Sequence, residues 1–265
     1  MNRNSGVARY VALGSSFAAG PGIEPIIDRR AARSGNNYAH LVAAHLGATV
    51  TDATVSGATT TTILTESQRA VGRRFPPQIE AVDSATDLVT ITAGGNDLGY
   101  LGGLLLRSAV NRLDEHRITS LLAAPLHKRT ATRPMSDDQI TTTVRGLTRI
   151  VGETRRRAPR ARVVLVDYLP ILDAGTAMSA TVPLRAEEVD HARAVATTLS
   201  EIYLAAARES GAEIVPASSY GSGHGAGSPD PWVNGFSARR LSSSFHPTAA
   251  GMRIVADRVI DLLLA

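Results

Sequence analysis

Residues 10–16 read Tyr10-Val11-Ala12-Leu13-Gly14-Ser15-Ser16, and this stretch decides the fold. Four apolar residues in succession, stopped by a glycine and two serines, describe a buried strand that meets a tight turn. A continuous apolar run, in place of an alternating one, suits a strand covered on both faces, as in a parallel sheet. Working outward, strand-forming runs return at 49–55, 88–92, 162–168 and 213–216. Between them lie segments of helical period. One is 37–46, stopped by Gly47; another is 137–157, stopped before Pro159. The longest is 184–210, with Val189, Ala192, Ala196, Leu199, Ile202, Tyr203 and Ala206 on one stripe. The last is 247–264, with Pro247 expected in its first turn. Strands that alternate with helices predict a doubly wound α/β sheet. Two stretches depart from the pattern: a helical excursion at about 99–136 and a Gly/Ser/Pro-rich loop at about 218–245. No repeat or linker divides the chain, so residues 1–265 are expected to form a single domain.

Composition narrows the function. The chain of 265 residues is 43% hydrophobic and 20% charged, with a net charge of +4 and no long block of one sign. Aromatic residues are only 4%, so the basic stripe interleaved with aromatics that marks a nucleic-acid binder is missing. The absence of cysteine removes disulfides, thiolate metal sites and a cysteine nucleophile together. The first nine residues are polar, and the run Tyr10 to Leu13 is too short for a leader or a membrane span. Those features lead to the expectation of a cytoplasmic protein without stable membrane insertion. Oligomeric state is not legible.

In a sheet of this kind ligands bind beyond the carboxyl ends of the strands. The polar residues just after the first three expected strands are Ser16, then Ser56-Gly57, then Asn96-Asp97, and His246 stands before the last helix. A hydroxyl, a flexible backbone N–H, a side-chain amide and an imidazole thus converge on one edge. Ester hydrolysis needs those parts: a nucleophile, a base for its proton, and donors for the oxyanion. Taken singly, each has a plainer reading as a helix cap, a turn glycine or a surface histidine. Their order along the chain is what those plainer readings leave unexplained. A P-loop, a dinucleotide fingerprint and a G-x-S-x-G elbow are all absent. His40 and His45 are five apart and do not share a zinc-binding face, while His116 and His127 lie among Arg112, Arg117, Lys128, Arg129 and Arg133. No metal and no cofactor is expected.

The ordered set resembles the sequence blocks of SGNH (GDSL-like) serine ester hydrolases. Residues 10–20, YVALGSSFAAG, are similar to the family's first block, and Val55-Ser56-Gly57-Ala58 to its second. Residues 92–99, TAGGNDLG, match the third, and Ser244-Phe245-His246-Pro247 match the block whose histidine precedes a helix. The resemblance implies a flavodoxin-like parallel sheet of about five strands. It also implies Ser16 as nucleophile, His246 as general base, and the Ser16 N–H, Gly57 N–H and Asn96 amide as oxyanion donors. Two positions depart from the pattern: Ser15 replaces the aspartate before the nucleophile, and Ser243 stands where the acid precedes the histidine. No carboxylate occurs between Asp230 and Asp257. Some members of the family hold the imidazole with a main-chain carbonyl, so a Ser–His dyad oriented by the Ser243 carbonyl is expected here, with Asp230 as the alternative.

Substrate is less legible. Leu101 could wall an acyl pocket, Ser15 lies beside the nucleophile, and Trp232 and Phe236 could form the mouth of the site. The expected activity is a carboxylesterase for short- or medium-chain acyl esters. The alternatives are a lipase or phospholipase acting on lipid esters, an acyltransferase using the same dyad, and an inactive small-molecule-binding module suggested by the missing acid.

Overall fold

The computed structural model describes residues 6–114 and 134–265. Five strands form one parallel sheet: β1 (Arg9–Gly14), β4 (Thr49–Asp52), β7 (Leu88–Thr92), β8 (Arg162–Val166) and β9 (Glu213–Val215), in the spatial order β4-β1-β7-β8-β9. β7 is buried along its whole length, and β1 at every residue but Arg9. Both faces are covered, which is why these runs read as continuous rather than alternating. Two helix pairs flank the sheet, α2 (Tyr38–Leu46) on α7 (Ala249–Leu264) and α5 (Asp137–Arg157) on α6 (Ala186–Ser210). Helix α4 (Tyr100–Asp114) opens the expected excursion at 99–136; residues 115–133 of it, with the basic face around His116 and His127, lie outside the described residues.

The chain leaves β1 for β4 on one side and returns to β7 on the other. That reversal is the topological switch point of a 2-1-3-4-5 sheet, where the strand ends diverge and leave a crevice. The Gly14 turn and the loop after Thr92 stand on either side of it.

Where elements end differently from expectation, a side chain accounts for the difference. β4 stops at Asp52, short of 55, because the carboxylate accepts from the Thr54 N–H (3.0 Å) and hydroxyl (2.6 Å) and turns the chain. β8 stops at Val166 because Asp167 folds back onto the Tyr168 N–H. α6 starts at Ala186, where Glu188 accepts from the Arg185 N–H at 2.9 Å. α7 starts at Ala249 with Thr248 as its cap, so Pro247 precedes the helix rather than filling its first turn. Two hairpins went unanticipated: β2 (Ile26–Asp28) with β3 (Arg33–Ser34), and β5 (Gln68–Ala70) with β6 (Arg73–Phe75). The remaining helices are the one-turn α1 (Ser16–Ala19) and α3 (Thr60–Leu64). The 218–245 stretch is irregular apart from two short 3-10 turns at its ends.

Candidate active site

The strand β1 ends on a glycine because nothing larger fits. A Cβ on Gly14 would stand 2.6 Å from the Thr92 carbonyl oxygen. Gln78, buried in a 3-10 turn, clamps the same residue: its Oε1 accepts from Gly14 N–H (2.7 Å) and its Nε2 donates to Gly14 C=O (3.0 Å). Ser15 is then extended, donates its N–H to Thr92 O (2.9 Å), and is hydrogen-bonded through its hydroxyl to Tyr168 OH (3.1 Å). It makes no side-chain cap on α1. Ser16 opens that helix and is buried. As the first helical residue it has no intrahelical acceptor for its N–H, which donates to nothing among the described residues.

The second loop is held from three sides. Ser56 N–H donates to Ala31 O (3.0 Å), Gln68 Nε2 donates to Ser56 O (2.7 Å), and Ala58 N–H donates to Val55 O (3.1 Å). Gly57 sits between at φ 83°, a left-handed conformation that favours glycine. Its N–H, like that of Ser16, has no acceptor among the described residues. The third loop is tied to the second. Asn96 Nδ2 donates to Ala58 O at 2.8 Å, which fixes one amide hydrogen and aims the other. Asp97 accepts from the Thr60 hydroxyl (2.5 Å) and N–H (3.1 Å) at the start of α3. Tyr168 OH, already bonded to Ser15, also accepts from Gly95 N–H at 3.2 Å. Gly57, Asn96 and the Ser15-Ser16 turn are thus cross-braced.

His246 is presented by a turn in which Phe245 takes a left-handed φ of 58°. Its Nδ1 lies 2.9 Å from Ser244 O. A carbonyl can only accept, so Nδ1 carries the proton and the lone pair is on Nε2. Nε2 is buried and has no hydrogen-bond partner among the described residues. Burial pushes the imidazole pKa down to about 4, with the Ser244 carbonyl opposing the shift. The ring packs on Phe17, the residue after Ser16, with centroids 5.8 Å apart. A Cβ on Gly22, just past α1, would meet the Ser243 Cβ at 2.7 Å, so the two loops touch as well.

Several expected assignments change. The carbonyl on His246 Nδ1 belongs to Ser244, not Ser243: Ser243 O accepts from the His246 N–H (3.2 Å), and the Phe245 turn brings the next carbonyl to the ring. Asp230 lies beside His224, with Oδ2 3.4 Å from His224 Nδ1, and makes no contact with His246. Trp232 stacks on His224 at 3.8 Å. Phe236 is buried against Phe245. Leu101 is buried on α4, while its neighbours Leu98 and Leu104 line a cavity of about 500 Å³ that is also lined by Arg107, Gln139 and His191. Gln78, Gln68, Tyr168 and Ser244 were not anticipated. Tyr168 closes the fourth expected strand and could have been found there, whereas Gln78 carries no local signal.

The sequence matches the model of the GDSL-like Lipase/Acylhydrolase family over residues 12–254. It is 32% identical over 263 residues to Lipase 2 of Streptomyces coelicolor, covering 96% of this chain and 85% of the relative. A lipase of Streptomyces rimosus is 28% identical over 245 residues, with 91% and 81% covered. Among solved structures, the extracellular lipase of Streptomyces rimosus superposes with a TM-score of 0.72 at 25% identity, covering 97% of this chain and 98% of the other. Phospholipase A1 of Streptomyces albidoflavus shares the fold, with a TM-score of 0.73 at 23% identity and the same coverage. The chain is an ester hydrolase on the SGNH fold. It belongs to the GDSL-like lipase/acylhydrolase family.

The kinship corrects the expected compartment. A cytoplasmic protein was expected from a cysteine-free chain with a polar start, but one of its structural relatives is an extracellular lipase. Lack of cysteine is compatible with either compartment, because a core of this size needs no disulfide. Among the described residues no helix is long and apolar enough to cross a membrane.

Proposed function

We propose that this chain is a lipase-type hydrolase that cleaves acyl esters through an acyl-enzyme on Ser16. The observation that carries the reading is the state of His246. Its Nδ1 is held by Ser244 O, and its basic Nε2 is buried, unengaged, beside the turn that bears Ser16. Nε2 takes the Ser16 proton as Oγ attacks the ester carbonyl, and the oxyanion accepts from Ser16 N–H, Gly57 N–H and Asn96 Nδ2. His246 then protonates the leaving alkoxide; a water, deprotonated by the same nitrogen, releases the acid and restores Ser16. No carboxylate takes part. The Ser244 carbonyl fixes the tautomer and holds the imidazolium that forms.

The sequence alone favoured short- or medium-chain acyl esters. Kinship with lipases moves the reading to lipid esters, with soluble esters turned over by the same site. The cavity of about 500 Å³ beyond the Asn96 loop sets Leu98, Leu104 and Val195 beside Arg107, Gln139 and His191, so it is the kinship that carries the lipid reading.

Two results test this reading. Asn96→Ala lowers kcat for p-nitrophenyl butyrate by about 10²–10³-fold, the usual cost of one oxyanion donor, with KM little changed. The acid limb of kcat/KM falls well below 6.5, toward the depressed His246 pKa of about 4. A histidine whose pKa is lowered by folding stabilises the native state fully above its unfolded value of about 6.5. That contribution is lost as pH falls toward 4, so initial rates must be read before acid unfolding sets in. A limb at or above 6.5 would argue for a carboxylate partner and against the dyad.

A further inference from the structure

Residues 26–34 and 68–75, the two hairpins, carry six arginines and a single acid, Asp28. Two of the arginines are engaged inside the lobe. Arg33 donates through Nε and Nη2 to Thr54 O (3.0 and 2.8 Å) and lies 3.5 Å from Asp52. Arg73 pairs with Asp28 at 3.2 Å and lies over the Phe75 ring. Arg29, Arg30, Arg69 and Arg74 are exposed and form no ion pair among the described residues.

Arg69 and Arg74 are direct cross-strand partners, so both guanidinium groups leave the same face of the hairpin. Like charges placed opposite one another destabilise a strand pair. Between them at the tip, Val71 is 76% exposed at φ 45°. A β-branched residue in the left-handed region is a costly choice where glycine or asparagine would serve. Ile27, on the neighbouring hairpin, is 52% exposed. Repulsion and an exposed apolar tip are both relieved by one kind of partner: a surface of anionic phosphate over hydrocarbon.

We propose that the paired hairpins are the face by which this enzyme sits on anionic lipid, with Arg69 and Arg74 straddling head-group phosphates and Val71 and Ile27 entering the acyl boundary. The proposal rests on the lipid-ester reading above and adds the docking surface. The lobe is joined directly to the site. The Arg73–Asp28 pair and a small cluster of Ala31, Val55, Phe75 and Ala70 bind the hairpins together. Ala31 O and Gln68 Nε2 then grip Ser56, next to Gly57. The hairpin that carries Arg69 and Arg74 on one face thus braces the loop bearing Gly57 through Gln68 on the other.

The test is co-sedimentation of Ser16→Ala protein with vesicles of pure phosphatidylcholine or of equimolar phosphatidylcholine and phosphatidylglycerol. Binding is expected on the anionic vesicles, falling with added salt. Arg69→Gln/Arg74→Gln should weaken it about 30-fold, the worth of two basic residues at such a surface. Val71→Asp should weaken it further, while thermal stability of the double arginine variant is unchanged or higher. Turnover of p-nitrophenyl butyrate by the same arginine variant carrying Ser16 should match wild type. Equal binding to both vesicles, or binding indifferent to Arg69 and Arg74, overturns the docking surface and leaves the hydrolase reading standing. Capture by immobilised heparin without vesicle binding also overturns it. Arginine-dependent vesicle binding by a protein that turns over no ester would sink the hydrolase reading and keep the surface.

Discussion

Ser16→Ala is expected to reduce kcat/KM for p-nitrophenyl butyrate by about 10⁴-fold or more, the scale on which deletion of a serine nucleophile acts. The substitution removes only Oγ. The Ser16 N–H stays, so binding and part of the oxyanion site survive and a residual rate above background remains. Ser15→Ala is the internal control. Its hydroxyl is bonded to Tyr168 OH at 3.1 Å, and losing that bond costs about 1 kcal/mol of stability with activity kept within about tenfold. The two serines are adjacent, both buried, and chemically alike. What separates them is geometry: Ser15 is already bonded to Tyr168, while Ser16 leads the helix whose next residue packs on His246.

The second large effect is at His246. His246→Ala should lower kcat by about the same factor as Ser16→Ala, because base and nucleophile act as one unit. The double variant should then be no worse than either single one, whereas independent roles would multiply. KM should change little, since the ring acts on the Ser16 proton and not on the bound ester. Asp230→Asn is expected to leave both kcat and the pH profile unchanged, as Asp230 is 78% exposed and lies against His224 rather than His246.

Most of the fold could be read from the sequence because the sheet is buried on both faces. A strand such as Leu88–Thr92 must be apolar throughout, and that signal needs no partner to be recognised. α5 was legible to the residue because Ser136 and Gln139 cap its start and Pro159 bars its continuation. Two strand ends that were misjudged share one cause. Asp52 and Asp167 each turn the chain by accepting backbone or neighbouring hydroxyl hydrogens, and a propensity pattern does not register that. The hairpins were missed for a different reason. Three-residue and two-residue strands rich in arginine carry no apolar alternation, and the β5–β6 turn sets a β-branched Val71 before its one glycine, Gly72.

The candidate site was legible as a list of proposed side chains and illegible as a set of supports. Ser16, Gly57, Asn96 and His246 are side chains or turns at strand and helix ends, where local sequence announces them. Gln78, Gln68 and Tyr168 act across 64, 12 and 73–153 residues of chain, and only tertiary packing brings them to Gly14, Ser56, Gly95 and Ser15. The choice of Ser244 over Ser243 for His246 turns on one backbone angle at Phe245, which its residue type argues against.

The most direct measurement is an acid quench of the wild-type enzyme during turnover of p-nitrophenyl butyrate, followed by peptide mass mapping. One butyryl group on the peptide bearing Ser16, absent from Ser16→Ala and present in Ser15→Ala, is the predicted result. Turnover with no acyl group captured on Ser16, or an acyl group mapped to another residue, would contradict the account.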